Sequence, residues 1–204
     1  MIKYNDEKKK QKIKSIKQLL HISDLSLAQE YDINFKLSKE YRKYRMDSAV
    51  YYMEKNQDIA KKLNSIDVIN ETNLNLSLLY SATGMYLEAK DILNHIDRQS
   101  LSEKLVPLYF ESNSQFYGHY AQSNDRHAYF QINEAYRDSL LTALDSSSVR
   151  YRITYAEKIF YQGQIEIAEN RLLKLMDEIP EDDPDYAFVA YLLGKVYENK
   201  KKQD

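Results

Sequence analysis

Residues that commonly carry catalysis are few in this sequence, and their spacing does not assemble a recognisable site. The four histidines are His21, His95, His119 and His127, and none has the H-E-x-x-H spacing that places two zinc ligands on one helix face. The absence of cysteine excludes a disulfide, a thiolate metal site and a cysteine nucleophile. No glycine-rich phosphate loop and no serine nucleophile elbow occurs. The sequence therefore predicts a protein that is not an enzyme and that uses no metal or other cofactor.

The acidic run "DEIPEDDPD", from Asp177 to Asp185, is the densest group of oxygen ligands. A calcium loop needs alternating ligands and a glycine for its sharp turn, and this run has neither. Carboxylates are also favoured at the first position of a helix, where they accept hydrogen bonds from free backbone N–H groups. We therefore interpret the run as a turn between helices, with Asp182 or Asp185 capping the next helix.

The elements that position these residues are predicted to be helices throughout. Only four glycines and three prolines occur among 204 residues, too few for the many turns of a β-sandwich or barrel. Apolar residues make up 43% of the chain, enough for a sizeable core. No apolar run approaches the roughly 20 residues that a membrane-spanning helix needs. The predicted fold class is all-α.

One stretch, "LNLSLLYSATGMYLEAKDIL", indicates a helix pair with a tight turn. Glycine inside a helix costs about 1 kcal/mol relative to alanine, so Gly84 is best explained as a helix end where φ is positive. The spacing recurs in "YAEKIFYQGQIEIAENRLLKLMDEIP", with Gly163 at the turn. Weaker copies surround Leu37 to Ala49, and "YFESNSQFYGHY" with "AYRDSLLTAL", where the longer polar segment "AQSNDRHA" is expected to connect the helices.

This pattern resembles the tetratricopeptide repeat (TPR), and the resemblance implies a right-handed superhelical solenoid of antiparallel helix pairs. We expect about ten helices, near residues 5–22, 26–44, 47–64, 66–83, 86–97, 102–121, 127–144, 149–161, 165–178 and 185–200. Residues 1–25 would form a leading amphipathic helix, and residues 26–204 four helix pairs plus the first helix of a fifth. The small residues at the closest helix crossings would be Ser77, Ala89, Ala156, Ala168 and Gly194.

The concave surface of such an array is the candidate binding site. The chain has 19 tyrosines and no tryptophan. Several tyrosines are expected to fill the seams between helices, with the hydroxyl reaching a partner or water. These are Tyr41, Tyr80, Tyr86, Tyr117 and Tyr197. The residues expected to face the concave side are Phe35, Lys39, Arg42, Leu74, Leu78, Gln115, His119, Ile153, Glu157, Phe160, Tyr161, Tyr191 and Lys195. A mixed aromatic and charged groove suits a peptide.

The charge of the chain is divided along its length. The net charge is −2, but residues 1–64 carry +6 and residues 65–204 carry −8. A basic first helix could meet nucleic acid or anionic lipid, but a solvated helix face is the commoner explanation. We therefore expect no nucleic-acid partner for this region.

A narrower resemblance links the whole chain to a group of bacterial proteins. The segments "KQKIKSIKQLL", "YRMDSAVYYMEK", "LYSATGMYLEAKDILNHID" and "YRDSLL" are similar to the periplasmic amino-terminal region of uncharacterised envelope-anchored TPR regulators. The resemblance implies a signal peptide before this region and, after it, a membrane helix leading to a cytoplasmic regulatory segment. It therefore implies a periplasmic location and membrane attachment only through a segment outside this chain. The chain alone leaves the cytoplasm open.

Three functions remain open from the sequence. The favoured one is a protein- or peptide-binding sensor module of a membrane-anchored regulator. The alternatives are a structural scaffold without an exchangeable ligand and, more weakly, a carbohydrate-binding repeat protein. The last helix would lack a covering neighbour, so Leu193, Val196 and Tyr197 are expected to form an exposed apolar patch. We expect the chain to self-associate through residues 185–200 or to fray there.

Overall fold

The computed structural model describes residues 2–42, 44–181 and 183–202, without the side chains of residues 2–6 and 184. Within these residues the chain is 82% helical and has no β-strand, which confirms the all-α prediction. The ten α-helices are α1 (Ile2–Leu19), α2 (Leu27–Tyr41), α3 (Met46–Leu63), α4 (Ile66–Thr83), α5 (Tyr86–Asn94), α6 (Val106–Asn124), α7 (His127–Ala143), α8 (Val149–Tyr161), α9 (Ile165–Glu178) and α10 (Pro184–Lys201).

Both glycines at the predicted turns adopt the left-handed conformation. The φ of Gly84 is 81° and that of Gly163 is 79°. After each glycine the chain closes with a backbone hydrogen bond, from the N–H of Met85 to the carbonyl of Tyr80 at 2.9 Å and from that of Gln164 to Ile159 at 3.0 Å. Apart from the glycine and its two chain neighbours, no heavy atom of the described residues lies within 4 Å of an added Cβ at either position. The requirement at both positions is therefore the backbone conformation, not space.

The polar segment "AQSNDRHA" is helical over most of its length, so the predicted long connection is wrong. α6 continues to Asn124 and α7 begins at His127. Asp125 between them has a φ of 49°, the same left-handed helix end that Asn64 makes at 52°. Short polar residues tolerate this conformation, which lets the turn stay tight without a glycine.

The structure forms two compact units, one up to Asn133 and one from Glu134 onward. In the first unit, α2 packs against α3 and α4 against α5 and α6. Leu37, Ala49 and Ala89 are completely buried. The hydroxyl of Ser38 donates to the carbonyl of Ala49 at 2.8 Å, so the weaker sequence copy does form a close helix pair. Ser77 is also completely buried, as the repeat pattern predicted.

In the second unit, α9 packs against both α8 and α10. Ala156 and Ala168 are completely buried at the α8–α9 contact, as predicted. Gly194 is exposed with no neighbour near its Cβ position, so its predicted place at a close crossing is wrong.

The predicted apolar patch on the last helix is wrong in two of its three residues. Leu193 is 6% exposed and Val196 is fully buried, because α8 and α9 contact the face of α10 that carries them. Tyr197 is 44% exposed, so it is not a seam tyrosine.

The acidic run spans the end of α9 and the start of α10, and the cap of α10 differs from those predicted. The side chain of Asp183 accepts a hydrogen bond from the N–H of Asp185 at 2.8 Å, which satisfies one free donor at the helix start. Asp182 lies outside the described residues. Among the side chains that the structure describes, no three histidines or carboxylates gather where they could hold a metal ion.

The predicted division of the chain into a leading helix, residues 1–25, and a repeat array stays a prediction. No helix in the described part of the chain is long and apolar enough to cross a membrane.

Candidate functional site

The best-defined candidate site lies in the second unit, on the solvent-exposed side of α8 and α10. Ser148 caps the start of α8, and its hydroxyl accepts a hydrogen bond from the N–H of Tyr151 at 3.1 Å. Ile159, on the core side of α8, is buried, whereas Tyr161 is 51% exposed. On α10, Tyr191 is 54% exposed while Leu192 beside it is buried. The helical period thus separates a core face from a face that carries large aromatic side chains to solvent.

Five side chains on this side contact one another, and we name them the Tyr161 surface. They are Arg137 of α7, Tyr161 of α8, and Phe188, Tyr191 and Lys195 of α10. The Nζ of Lys195 lies 3.4 Å from the hydroxyl of Tyr161 and 5.0 Å from the ring centre of Tyr191. The rings of Phe188 and Tyr191 stack with 6.3 Å between their centres. The two exposed tyrosines are therefore joined through one cation.

Arg137 also contacts the Tyr161 ring. Its guanidinium carbon lies 5.2 Å from the ring centre, within the range of a cation–π interaction. The Arg137 side chain is only 7% exposed and forms ion pairs with Glu134 and, at 3.7 Å, with Glu157. A buried cation needs such paired charges to offset its lost hydration. These contacts restrict the orientation of Tyr161, which favours a preformed binding surface.

Lys195 of the Tyr161 surface and Glu157, which pairs with Arg137 beside it, have shifted pKa values. Burial raises the pKa of Glu157, Glu134 adds to the increase, and the attraction of Arg137 and Lys195 only partly opposes it. Burial alone would lower the pKa of Lys195, but hydrogen bonds and Coulombic attraction to Tyr191 and Tyr161 outweigh that effect and raise it. Lys195 is therefore charged at neutral pH and available to an anionic or aromatic group.

Of the predicted concave residues in the second unit, the structure brings Glu157, Tyr161, Tyr191 and Lys195 together. Phe160 is partly buried and meets the Tyr161 ring edge-on at 5.2 Å. Ile153 is 5% exposed and belongs to the core, so its place in the groove is wrong.

The predicted groove residues of the first unit fall into separate groups. On α2, Phe35 stacks on Tyr31 with 5.9 Å between ring centres, and the Nζ of Lys39 lies 4.6 Å from the Phe35 ring. Arg42 is partly buried, and burial lowers its pKa. On α4, Leu74 and Leu78 are 0% and 1% exposed, so these core residues do not line a groove.

The α6 residues are half-buried and have local partners. The amide of Gln115 donates to Glu111 at 3.4 Å, and the backbone carbonyl of His119 accepts from the hydroxyl of Tyr86 at 3.3 Å. The Tyr86 hydroxyl also lies 2.6 Å from that of Ser123, so this seam tyrosine satisfies its polar end as predicted.

Sequence reasoning missed Arg137 and Phe188. Arg137 belongs to the second helix of a pair, and the repeat register assigns only first helices to the concave side. The one sequence signal for Arg137 is that it follows Glu134 by three residues, a spacing that allows an ion pair on a helix. Phe188 precedes Tyr191 by three residues, so helical spacing could have placed the two rings together.

The comparisons with known proteins identify one family. A family model described as the SusR N-terminal TPR domain matches residues 2–204. No curated protein and no solved structure matches the chain.

Proposed function

Because the chain belongs to the SusR N-terminal TPR domain family, we propose that it is a non-enzymatic module that binds a protein or a peptide. TPR domains generally mediate protein interactions, and solenoid repeats present extended surfaces for that purpose. The observation that carries the proposal for this chain is the Tyr161 surface. It combines two half-exposed tyrosines with cations that hold them in place, and aromatic residues with arginine are the commonest hot spots of protein interfaces.

A peptide selection tests this proposal directly. The 204-residue chain is used to select binders from a displayed library of random twelve-residue peptides, and the affinity of each binder is then measured for variants. We expect Tyr161→Ala with Tyr191→Ala to weaken binding by about tenfold or more, as removal of hot-spot aromatics does. Tyr197→Ala is the matched control, since this tyrosine is 44% exposed and makes none of the ring contacts of the Tyr161 surface. Equal affinity for wild type and the double variant would contradict the proposal.

The same variants separate the carbohydrate alternative. A pool of soluble glycans is added and the melting temperature is measured, because a ligand that binds only the folded state raises it. Stabilisation by glycans that is lost in the Tyr161→Ala and Tyr191→Ala double variant would replace the peptide proposal with sugar recognition.

We also propose that the module is the periplasmic sensor part of a membrane-anchored regulator. Support comes from the family, which consists of bacterial envelope regulators. Protease treatment of spheroplasts that express the complete reading frame tests the location. Degradation of this region without cell lysis is expected, and full protection would contradict a periplasmic position.

Self-association through α10 stays a prediction. The exposed surface available for it is smaller than the sequence suggested. The exposed residues on this helix include Gly194 and Tyr197, whereas Leu193 and Val196 are buried. Light scattering of wild type and Tyr197→Glu tests it. A dimer that becomes monomeric in the variant supports self-association, and a monomeric wild type contradicts it.

A further inference from the structure

A second surface, in the first unit, has a chemistry that peptide binding through the Tyr161 surface does not explain. A cleft of about 280 Å³ lies between α1 and the turn that joins α2 to α3. We name it the basic cleft, and its polar lining consists of Lys10, Lys14, Lys17, Tyr41, Tyr44 and Arg45. No carboxylate is among its lining residues. Four cations therefore share one small concave surface.

The cleft is anchored on packed side chains. Ile13 also lines it and is 5% exposed, so α1 is fixed to the core between the turns that carry the lysines. Tyr41 and Tyr52 stack with 5.8 Å between ring centres and an angle of 7°. The Nζ of Lys17 lies 5.4 Å from the Tyr41 ring and 5.9 Å from the Tyr52 ring. Lys17 is thus held at the cleft by two buried rings.

The basic residues of α1 differ in their ion pairing, and in the basic cleft Lys10 forms an exposed ion pair with Glu7 at 3.5 Å. Lys9 and Lys12 form ion pairs with Glu40 at 3.5 Å and 2.6 Å. Lys14 and Arg45, by contrast, form no ion pair with any described residue. Unneutralised cations in a concave site concentrate the positive potential and attract an anion.

The backbone adds to this potential. Arg45 is the residue before α3, and no side chain among the described residues caps the first N–H groups of that helix, although its first turn also carries the carboxylate of Asp47. A helix start carries a partial positive charge and free N–H donors, which favour phosphate. The hydroxyl of Tyr44, whose side chain is 38% exposed, supplies a further donor at the rim.

From these contacts we propose that the basic cleft binds a phosphoryl group, carried by a free phosphate compound or by a lipid headgroup. Lysine and arginine recognise phosphate oxygens through charge-assisted hydrogen bonds, and the volume of the cleft suits one or two such groups. This inference is independent of the proposed peptide function, because its residues lie in the first unit and those of the Tyr161 surface in the second.

Calorimetric titration of the 204-residue chain with inorganic pyrophosphate tests the soluble form of the ligand. Lys14→Gln with Lys17→Gln is expected to weaken binding by about tenfold or more, since two charge-assisted contacts are lost. Lys9→Gln with Lys12→Gln is the matched control, because it removes the same charge from the same helix on the side that faces Glu40. The control is expected to bind within about twofold of wild type.

Vesicles test the lipid form. Flotation with phosphatidylglycerol–phosphatidylcholine vesicles is compared with flotation on pure phosphatidylcholine. Binding of anionic vesicles or of pyrophosphate that is lost in the Lys14/Lys17 variant and kept in the Lys9/Lys12 variant supports the proposal, and the probe that binds identifies the source of the phosphate. Absence of binding to both probes, or equal loss in the two variants, overturns it. Circular dichroism confirms that each variant keeps the helical content of wild type.

Discussion

Replacing Ala168 with leucine tests the packing of α9 against α8. Ala168 is completely buried, and Ala156 and Leu172 around this contact are completely buried as well. Leucine adds three carbon atoms where the neighbouring helices leave no exposed surface, so it must shift α9 or adopt a strained rotamer. Such overpacking costs typically about 1–3 kcal/mol. For a chain of this size the cost corresponds to a melting temperature lower by roughly 2–12 °C.

A suitable control lies on the same helix. Lys174 is exposed, so Lys174→Leu adds apolar surface to α9 without entering the core. Lys90 is unsuitable for the equivalent control on α5, because the structure places its Nζ 2.8 Å from the hydroxyl of Tyr117 and over the Phe116 ring.

Thermal unfolding followed by circular dichroism at 222 nm measures the effect. If the two units unfold separately, the change is expected only in the transition that belongs to the second unit. Equal melting temperatures for wild type, Ala168→Leu and Lys174→Leu would show that α8 and α9 do not approach as closely as the repeat register requires.

Four further substitutions test other features of the structure by denaturant unfolding. Gly194→Ala should stabilise the chain by about 0.5–1 kcal/mol because the site is exposed and helical. Gly163→Ala should destabilise the chain because φ at this position is 79°. A change of the same sign in the free energy of unfolding for both variants would refute this reasoning. Asn34→Leu should raise stability by about 1–3 kcal/mol, since Asn34 is 1% exposed and neither of its side-chain polar atoms has a hydrogen-bond partner among the described residues. A lower urea midpoint would count against it. For Glu157, the folded-state pKa lies above the unfolded value of 4.5, so the folded state binds the proton more tightly and wild-type stability falls as pH rises above that value. Glu157→Gln should therefore gain stability relative to wild type between pH 4.5 and pH 7.5, and a constant difference would contradict the assignment.

Much of the fold was predictable because its signals are local. Gly84 and Gly163 end helices by adopting a positive φ that other residues disfavour, so the residue type alone indicates the turn. Ala89 and Ala168 are buried because each follows its turn by the same number of residues and so falls on the same face of its helix. The end of α6 was not predictable from composition, since Asp125 makes the turn that glycine makes elsewhere.

The candidate site was only partly predictable, because exposure depends on neighbouring helices. The register put Leu74, Leu78 and Ile153 on the same face as Tyr161, yet the first three are buried and Tyr161 is half exposed. Arg137 became part of the site only because α7 brings its guanidinium to the Tyr161 ring.

The sequence by itself determined the helical class, the number of helices and the two glycine turns. Each of these follows from the conformational preference of single residues and from a spacing that repeats along one helix. The tertiary structure decided which helix faces are covered by neighbouring helices. On α10, for example, Val196 is buried, whereas Gly194, two residues earlier, is exposed. It also decided which cations are neutralised, as Lys12 and Lys14 illustrate on α1. The physical reason is that burial and charge pairing depend on side chains distant in sequence, whose arrangement exists only after the helices have packed.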